Sequence, residues 1–174
     1  TALFAAATYD TGDIICQSST SIHYPVKIAD AIRINNENYI KASLEVAGMI
    51  SSGEPIPAKA QQEEAATYSL WRDEEDYHIN WQQDAERIRR QIDATGYPYK
   101  HSFCMADGKK IRIVEAEIVK DLHIENRDAG KFIFVEEGNP VVVCGKGLLK
   151  ITNAIFDDNK ESFLPVKKFR TRLL

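Results

Sequence analysis

The chain has 174 residues, 44% hydrophobic and 28% charged, which suits one soluble domain or part of one with an appendage. Its formal net charge of -4 gives no basic surplus pointing to nucleic acid, and no apolar run approaches the ~20 residues that span a bilayer. The three cysteines, Cys16, Cys104 and Cys144, lie far apart and read as reduced core residues of a cytoplasmic protein, not as a disulfide framework or a zinc site.

Thr1 to Thr8 has no basic lead and no cleavage pattern, so no signal peptide is expected. Asp10-Thr11-Gly12-Asp13 then feeds the apolar run Ile14 to Gln17, read as a buried strand. Such a turn can hold a carboxylate at the lip of an α/β sheet, and it can equally be an ordinary polar turn, since Asp and Gly dominate turns. Apolar spacing predicts a helix over Ile28 to Ser51, with Ile28, Ala31, Ile32, Tyr39, Ile40, Leu44, Ala47 and Met49 on its stripe and a joint possible at Asn35-Asn36. Glu54 to Thr67 reads as a surface loop, Tyr68 to Trp71 as a short strand, and Arg72 to Tyr77 as a charged loop. A helix follows from about Gln82 to Ala94, with Ala85, Ile88 and Ile92 as its apolar stripe. Thr95-Gly96 ends it, and Tyr97-Pro98-Tyr99 continues as extended chain.

The remainder reads as β-structure. Ser102 to Met105 and Lys110 to Val119 flank Asp107-Gly108, a strong hairpin signal. Lys131 to Val135 and Val141 to Cys144 form a second pair, and Leu148 to Phe156 is one more strand.

Several candidate sites fail on their spacing. His23, His78, His101 and His123 have no metal-ligand spacing, Ser18 to Ser21 lacks a nucleophile elbow, and Gly145-x-Gly147 is too short for a dinucleotide fingerprint.

Four pieces in order carry a resemblance. Asp10-Thr11-Gly12-Asp13-Ile14-Ile15 resembles the Asp-Thr-Gly-Asp motif of formyltransferases that use 10-formyltetrahydrofolate. Ile79-Asn80-Trp81 with the following helix and Tyr97-Pro98-Tyr99 resembles the segment closing their catalytic domain, and Gly145-Lys146-Gly147-Leu148-Leu149 resembles a strand ending of their C-terminal β region. Tyr68 to Arg72 and the ending Phe169 to Arg172 look most similar to the sugar N-formyltransferases, which act on nucleotide-linked amino sugars in bacterial O-antigen and lipopolysaccharide synthesis. Methionyl-tRNA formyltransferase is similar in its first half.

The resemblance implies an α/β fold: the C-terminal part of a Rossmann-like formyltransferase domain over residues 1–98, then a small β-rich region with hairpins over 99–174. It implies formyl transfer to the amine of a nucleotide-linked sugar, dTDP-linked in this reading, with 10-formyltetrahydrofolate as cosubstrate and no metal. Asp10 matches the catalytic carboxylate by motif position, while Asp13 could serve its own turn. Ala7, Thr8 and Tyr9 match the loop whose main chain reads the folate. Trp71, Arg72, Tyr77 and Tyr99 are the candidates for the sugar nucleotide, by stacking and by gripping pyrophosphate; each is also readable as core or as solvated loop. The family's Asn-x-His-x-Ser-x-Leu-Pro segment is absent from these residues, so the chain reads as the C-terminal portion of a longer enzyme. A homodimer through the Val141 to Val143 hairpin is expected, since apolar hairpin faces need covering. The alternatives are a methionyl-tRNA formyltransferase-like enzyme and an inactive dimerising fragment.

Overall fold

Turn chemistry decides the β-structure of this chain. Asp107-Gly108 and Glu137-Gly138 both place two consecutive residues at positive φ (47° and 79°, 52° and 83°), the geometry that matches the twist of paired strands. The computed structural model describes all 174 residues, Thr1–Leu174, in two compact units. One comprises Thr1–Val26 with Asp30–Trp71, the other Lys27–Ala29 with Arg72–Leu174.

In the first unit, β1 (Ala2–Leu3) pairs antiparallel with β2 (Ile14–Cys16), and Ile14 exchanges two backbone hydrogen bonds with Lys59. Helix α1 (Ile28–Ser52) runs unbroken for 25 residues through Asn35-Asn36 and stops at Gly53 (φ 73°). Its buried residues are Asn38 and Ala42, one turn apart. Asn38 Oδ1 accepts from Ser18 Oγ (2.8 Å) and Thr20 Oγ1 (3.4 Å), so the helix docks through a polar cluster. Much of the stripe expected to face a core is exposed instead: Tyr39, Ile40 and Leu44 are 60–68% accessible. Apolar periodicity marks a face that wants cover and cannot say whether these residues supply it.

The strand expected at Tyr68 to Trp71 does not form. No backbone partner meets it, and Tyr68, Leu70 and Trp71 stand 85–100% exposed. β-Propensity without a neighbouring strand has nothing to act on.

The second unit holds an antiparallel sheet of five strands, β3 (Ser102–Ala106), β4 (Lys109–Val119), β5 (Phe132–Glu136), β6 (Asn139–Val143) and β7 (Leu148–Phe156), in the order β3-β4-β7-β6-β5. Helix α2 (Ala85–Thr95) is capped by Asp84, whose carboxylate accepts from Arg87 N at 2.7 Å. Its Ile88 and Ile92 pack with Ile111, Ile113, Leu149 and Ile151 in the core. The segment after β6 anchors the start of α2: Gly145 N donates to Trp81 O and Gln83 O, and Ala85 N to Lys146 O. Thus α2, assigned from sequence to a first region ending at residue 98, packs within the same unit as the sheet.

Val141, Val142 and Val143 are 0–4% exposed. They are core and not the expected dimer surface: Val142 joins the main core, while Val141 and Val143 pack with Leu148 in a second cluster. A strand sandwiched on both faces reads as a continuous apolar run, like an exposed sticky one.

The C-terminal tail joins the two sheet edges. On the β3 side, Met105 and Leu174 exchange backbone hydrogen bonds (2.7 and 3.0 Å). On the β5 side, Phe132 N donates to Thr171 O (3.3 Å), and Leu173 N to Gly130 O (2.8 Å). Leu173, 1% exposed, plugs the core between them. Replacing Leu173 by Ala should therefore remove core packing and loosen both edges. We expect a loss of about 2–5 kcal/mol, read as a lower urea midpoint at unchanged m-value. A midpoint within error of the parent chain would show that the tail is not part of the core.

Candidate active-site loops

The candidate residues fall in both compact units, and each group is described in its own. In the first unit, Ala7 to Asp10 forms an exposed turn. Asp10 has φ 58°, a left-handed conformation that Asp tolerates better than most residues. Gln61 Nε2 braces the turn by donating to Asp10 O and Gly12 O, both at 2.7 Å, and Thr11 Oγ1 donates to Thr8 O (3.0 Å). Gly12 is required by close approach: a Cβ there would lie 1.7 Å from Phe4 O. The Asp10 carboxylate itself is exposed and has no hydrogen-bond or ion-pair partner. Tyr9 is 97% exposed, and Trp71, at the end of this unit, is fully exposed.

In the second unit, Arg72 and Tyr77 share one loop, and Tyr99 lies on the chain leaving α2. A charged network brings the two segments together. Arg112, on β4 and 5% exposed, donates from Nη2 to Glu74, from Nη1 to His101 O (3.1 Å), and from Nε and Nη2 to the two carboxylate oxygens of Asp157 (3.0 and 3.3 Å). Glu74 also accepts from Lys110 (3.0 Å) and Lys100 (3.5 Å), the residue after Tyr99. The Phe103 ring lies beneath both cations, 4.2 Å from Lys110 Nζ and 5.1 Å from the Arg112 guanidinium carbon.

Electrostatics follow from this packing. The Arg112 hydrogen bond pulls the Asp157 carboxyl down to about 2 against its desolvation, with Lys160 assisting. Partial burial works against ionised Glu74, but the hydrogen bonds from Lys110 and Arg112 outweigh it and leave its carboxyl below the usual range. His101 is pushed below its ordinary value by burial and then by the Arg112 charge. The cysteines take no part: all three are free and buried, and burial raises the Cys144 thiol to about 12. No group of three or more His, Cys, Asp or Glu is placed to hold a metal, and no helix is long and apolar enough to cross a membrane.

Sequence reasoning missed Glu74, Arg112 and Asp157. A signal existed at Arg112, a cation between Ile111 and Ile113, which are both fully buried. Alternation places it on the opposite face of β4, where it needs its own partners.

The five-stranded sheet, α2 packed across its core and the braced charged loop all lie within one compact unit. The formyl transferase C-terminal domain family matches residues 72–165, more than half of the chain, and the protein belongs to that family. Among curated relatives, the methionyl-tRNA formyltransferase of Carboxydothermus hydrogenoformans is 29% identical over 144 residues, covering 83% of this chain and 45% of its own length. That of Neisseria gonorrhoeae is 30% identical over 145 residues, covering 82% and 45%. The chain therefore spans about half the length of the curated relatives it matches. Among solved structures, HypX from Aquifex aeolicus in complex with tetrahydrofolic acid superposes with a TM-score of 0.66 at 18% identity, over 92% of this chain and 27% of that one. This likeness supports the mixed α/β fold.

The depressed Asp157 gives an acid signature. Its ordinary value is 3.8 and its folded value is about 2, so its contribution is complete above about pH 4 and is lost as pH falls through 2. Acid unfolding of Asp157→Asn should show a shallower fall in stability between pH 4 and pH 2 than the parent chain. Identical slopes would remove Asp157 as a source of that dependence.

Proposed function

We propose that the protein takes part in transfer of a formyl group from 10-formyltetrahydrofolate to a primary amine carried on a phosphate-bearing acceptor. The family match carries this reading. In such a transfer the neutral amine attacks the formyl carbon, the carbonyl oxygen becomes an oxyanion, the attacking amine loses a proton, and collapse expels N10 of tetrahydrofolate, which takes up a proton as it leaves. Asp10, whose carboxylate is unpaired, is the group we assign to organise that proton transfer. The exposed main chain of Ala7, Thr8 and Tyr9 is assigned to the folate. Trp71, Arg72, Tyr77 and Tyr99 are assigned to the acceptor: an aromatic face for a base, a free guanidinium for phosphate.

Two acceptors fit that description. A dTDP-linked amino sugar follows from the resemblance at Tyr68 to Arg72 and at the chain's ending, and would serve O-antigen or lipopolysaccharide synthesis. Methionyl-tRNA is favoured by the names of the curated relatives. Homodimerisation remains part of the proposal. Its surface lies not on the buried valines but on Phe134 and Val135 of β5 and on Phe169, which are 36–52% exposed.

Incubation with 10-formyltetrahydrofolate and either a dTDP-amino sugar or methionyl-tRNA, read by mass spectrometry of the acceptor, tests the activity and selects between the acceptors. Where one acceptor gains a formyl group, Asp10→Asn should slow turnover by about 10²–10⁴-fold. Formylation of neither acceptor would leave the 174 residues as a non-catalytic module, and sedimentation would then decide whether that module is a dimer.

A further inference from the structure

The run Arg72-Asp73-Glu74-Glu75-Asp76 has the composition of a solvated charged loop, in which an arginine would pair with its acidic neighbours. The structure does not arrange it so. Asp73 Oδ1 accepts from Glu75 N (3.1 Å) and Asp76 Oδ2 from Asp73 N (3.0 Å), so these two acids serve their own backbone. Glu74 turns to the sheet and binds Arg112, Lys110 and Lys100. Arg72 stays exposed with no hydrogen-bond or ion-pair partner.

We infer that Glu74 is a positioning residue. Held by the buried Arg112, it fixes the 72–77 loop so that Glu74 itself is taken up by the sheet while Asp73 and Asp76 serve their own backbone, and the Arg72 guanidinium remains free for a phosphate group of the acceptor. Glu74 cannot leave without stripping a buried guanidinium of one carboxylate, which makes it a firm anchor. A free, planar guanidinium is suited to bidentate phosphate recognition. The inference rests on the proposed reading of the acceptor as phosphate-bearing.

The test uses the sign of an electrostatic effect. Glu74→Gln removes a negative charge two residues from Arg72, so charge alone predicts tighter binding of an anion. Loss of positioning predicts weaker binding. Inorganic pyrophosphate is titrated into the whole chain at low salt, with backbone amide exchange measured over 73–78. We expect pyrophosphate affinity to fall by about tenfold in Glu74→Gln, the scale of one hydrogen bond to a charged group. Affinity should vanish in Arg72→Ala, and exchange should quicken over 73–78 with α2 and β7 unchanged. Should Glu74→Gln fail to fold, Glu74→Asp keeps the charge but shortens the reach and must show the same two changes. Equal or tighter binding in either variant, unchanged loop exchange, or no pyrophosphate binding by the parent chain overturns the inference. Pyrophosphate binding of the expected kind without formylation of either acceptor would instead remove the proposed acceptors and leave the positioning role standing.

Discussion

A guanidinium withdrawn from water must find acceptors for its donors, and the burial of Arg112 imposes that condition on the second unit. Three segments distant in sequence meet it: Glu74 from the charged loop, the His101 carbonyl from the chain leaving α2, and Asp157 from the end of β7. Each of the three loops is thereby tied to β4. Lys110, Lys100 and Lys160 extend the alternation of charge outward, so that neither carboxylate depends on Arg112 alone. The loop carrying Arg72 and Tyr77 is held by this arrangement, and the loop carrying Tyr99 is drawn to it through Lys100.

The same kind of economy governs the sheet. Its order leaves β3 and β5 as edges, and unpaired edges invite association. The tail at Thr171 to Leu174 bonds to both, with Leu173 filling the core behind it. Closure by four residues is also why this tail is structurally a strand substitute whose side chains alternate between core and solvent: Thr171 and Leu173 are buried, Arg172 and Leu174 exposed.

What could be read from sequence was what local chemistry dictates. The Asp107-Gly108 turn requires φ > 0 twice, and only the hairpin between β3 and β4 satisfies it; the apolar stripe of α2 has one sheet to face. The failures share a cause, since each concerned a residue whose state depends on something distant. Tyr68 to Trp71 had strand composition but no partner strand. Val141 to Val143 had the look of a sticky face but are covered on both sides. Tyr39, Ile40 and Leu44 had the spacing of a core stripe but no cover among these residues. Arg112 was overlooked because a lone cation in a strand gives no hint of acceptors lying between 11 and 45 positions away. The Asp10 turn was legible as a turn, but the Gln61 brace that holds it comes from the loop read as surface filler.

Stability alone does not account for the Arg112 network. Buried ion pairs replaced as a set by well-packed apolar residues are often no less stable, because the cost of desolvating the charges cancels most of their attraction. An apolar plug between β4 and the 72–77 loop could hold the unit together equally well. It could not fix the loop's orientation, because apolar contacts are non-directional whereas a guanidinium bonded on three sides admits one arrangement of its partners. The loop whose orientation is fixed in this way carries an exposed, unpaired Arg72 beside four acids, three of them already committed elsewhere. The loop thus spends three of its carboxylates on backbone and sheet and leaves its cation unpaired.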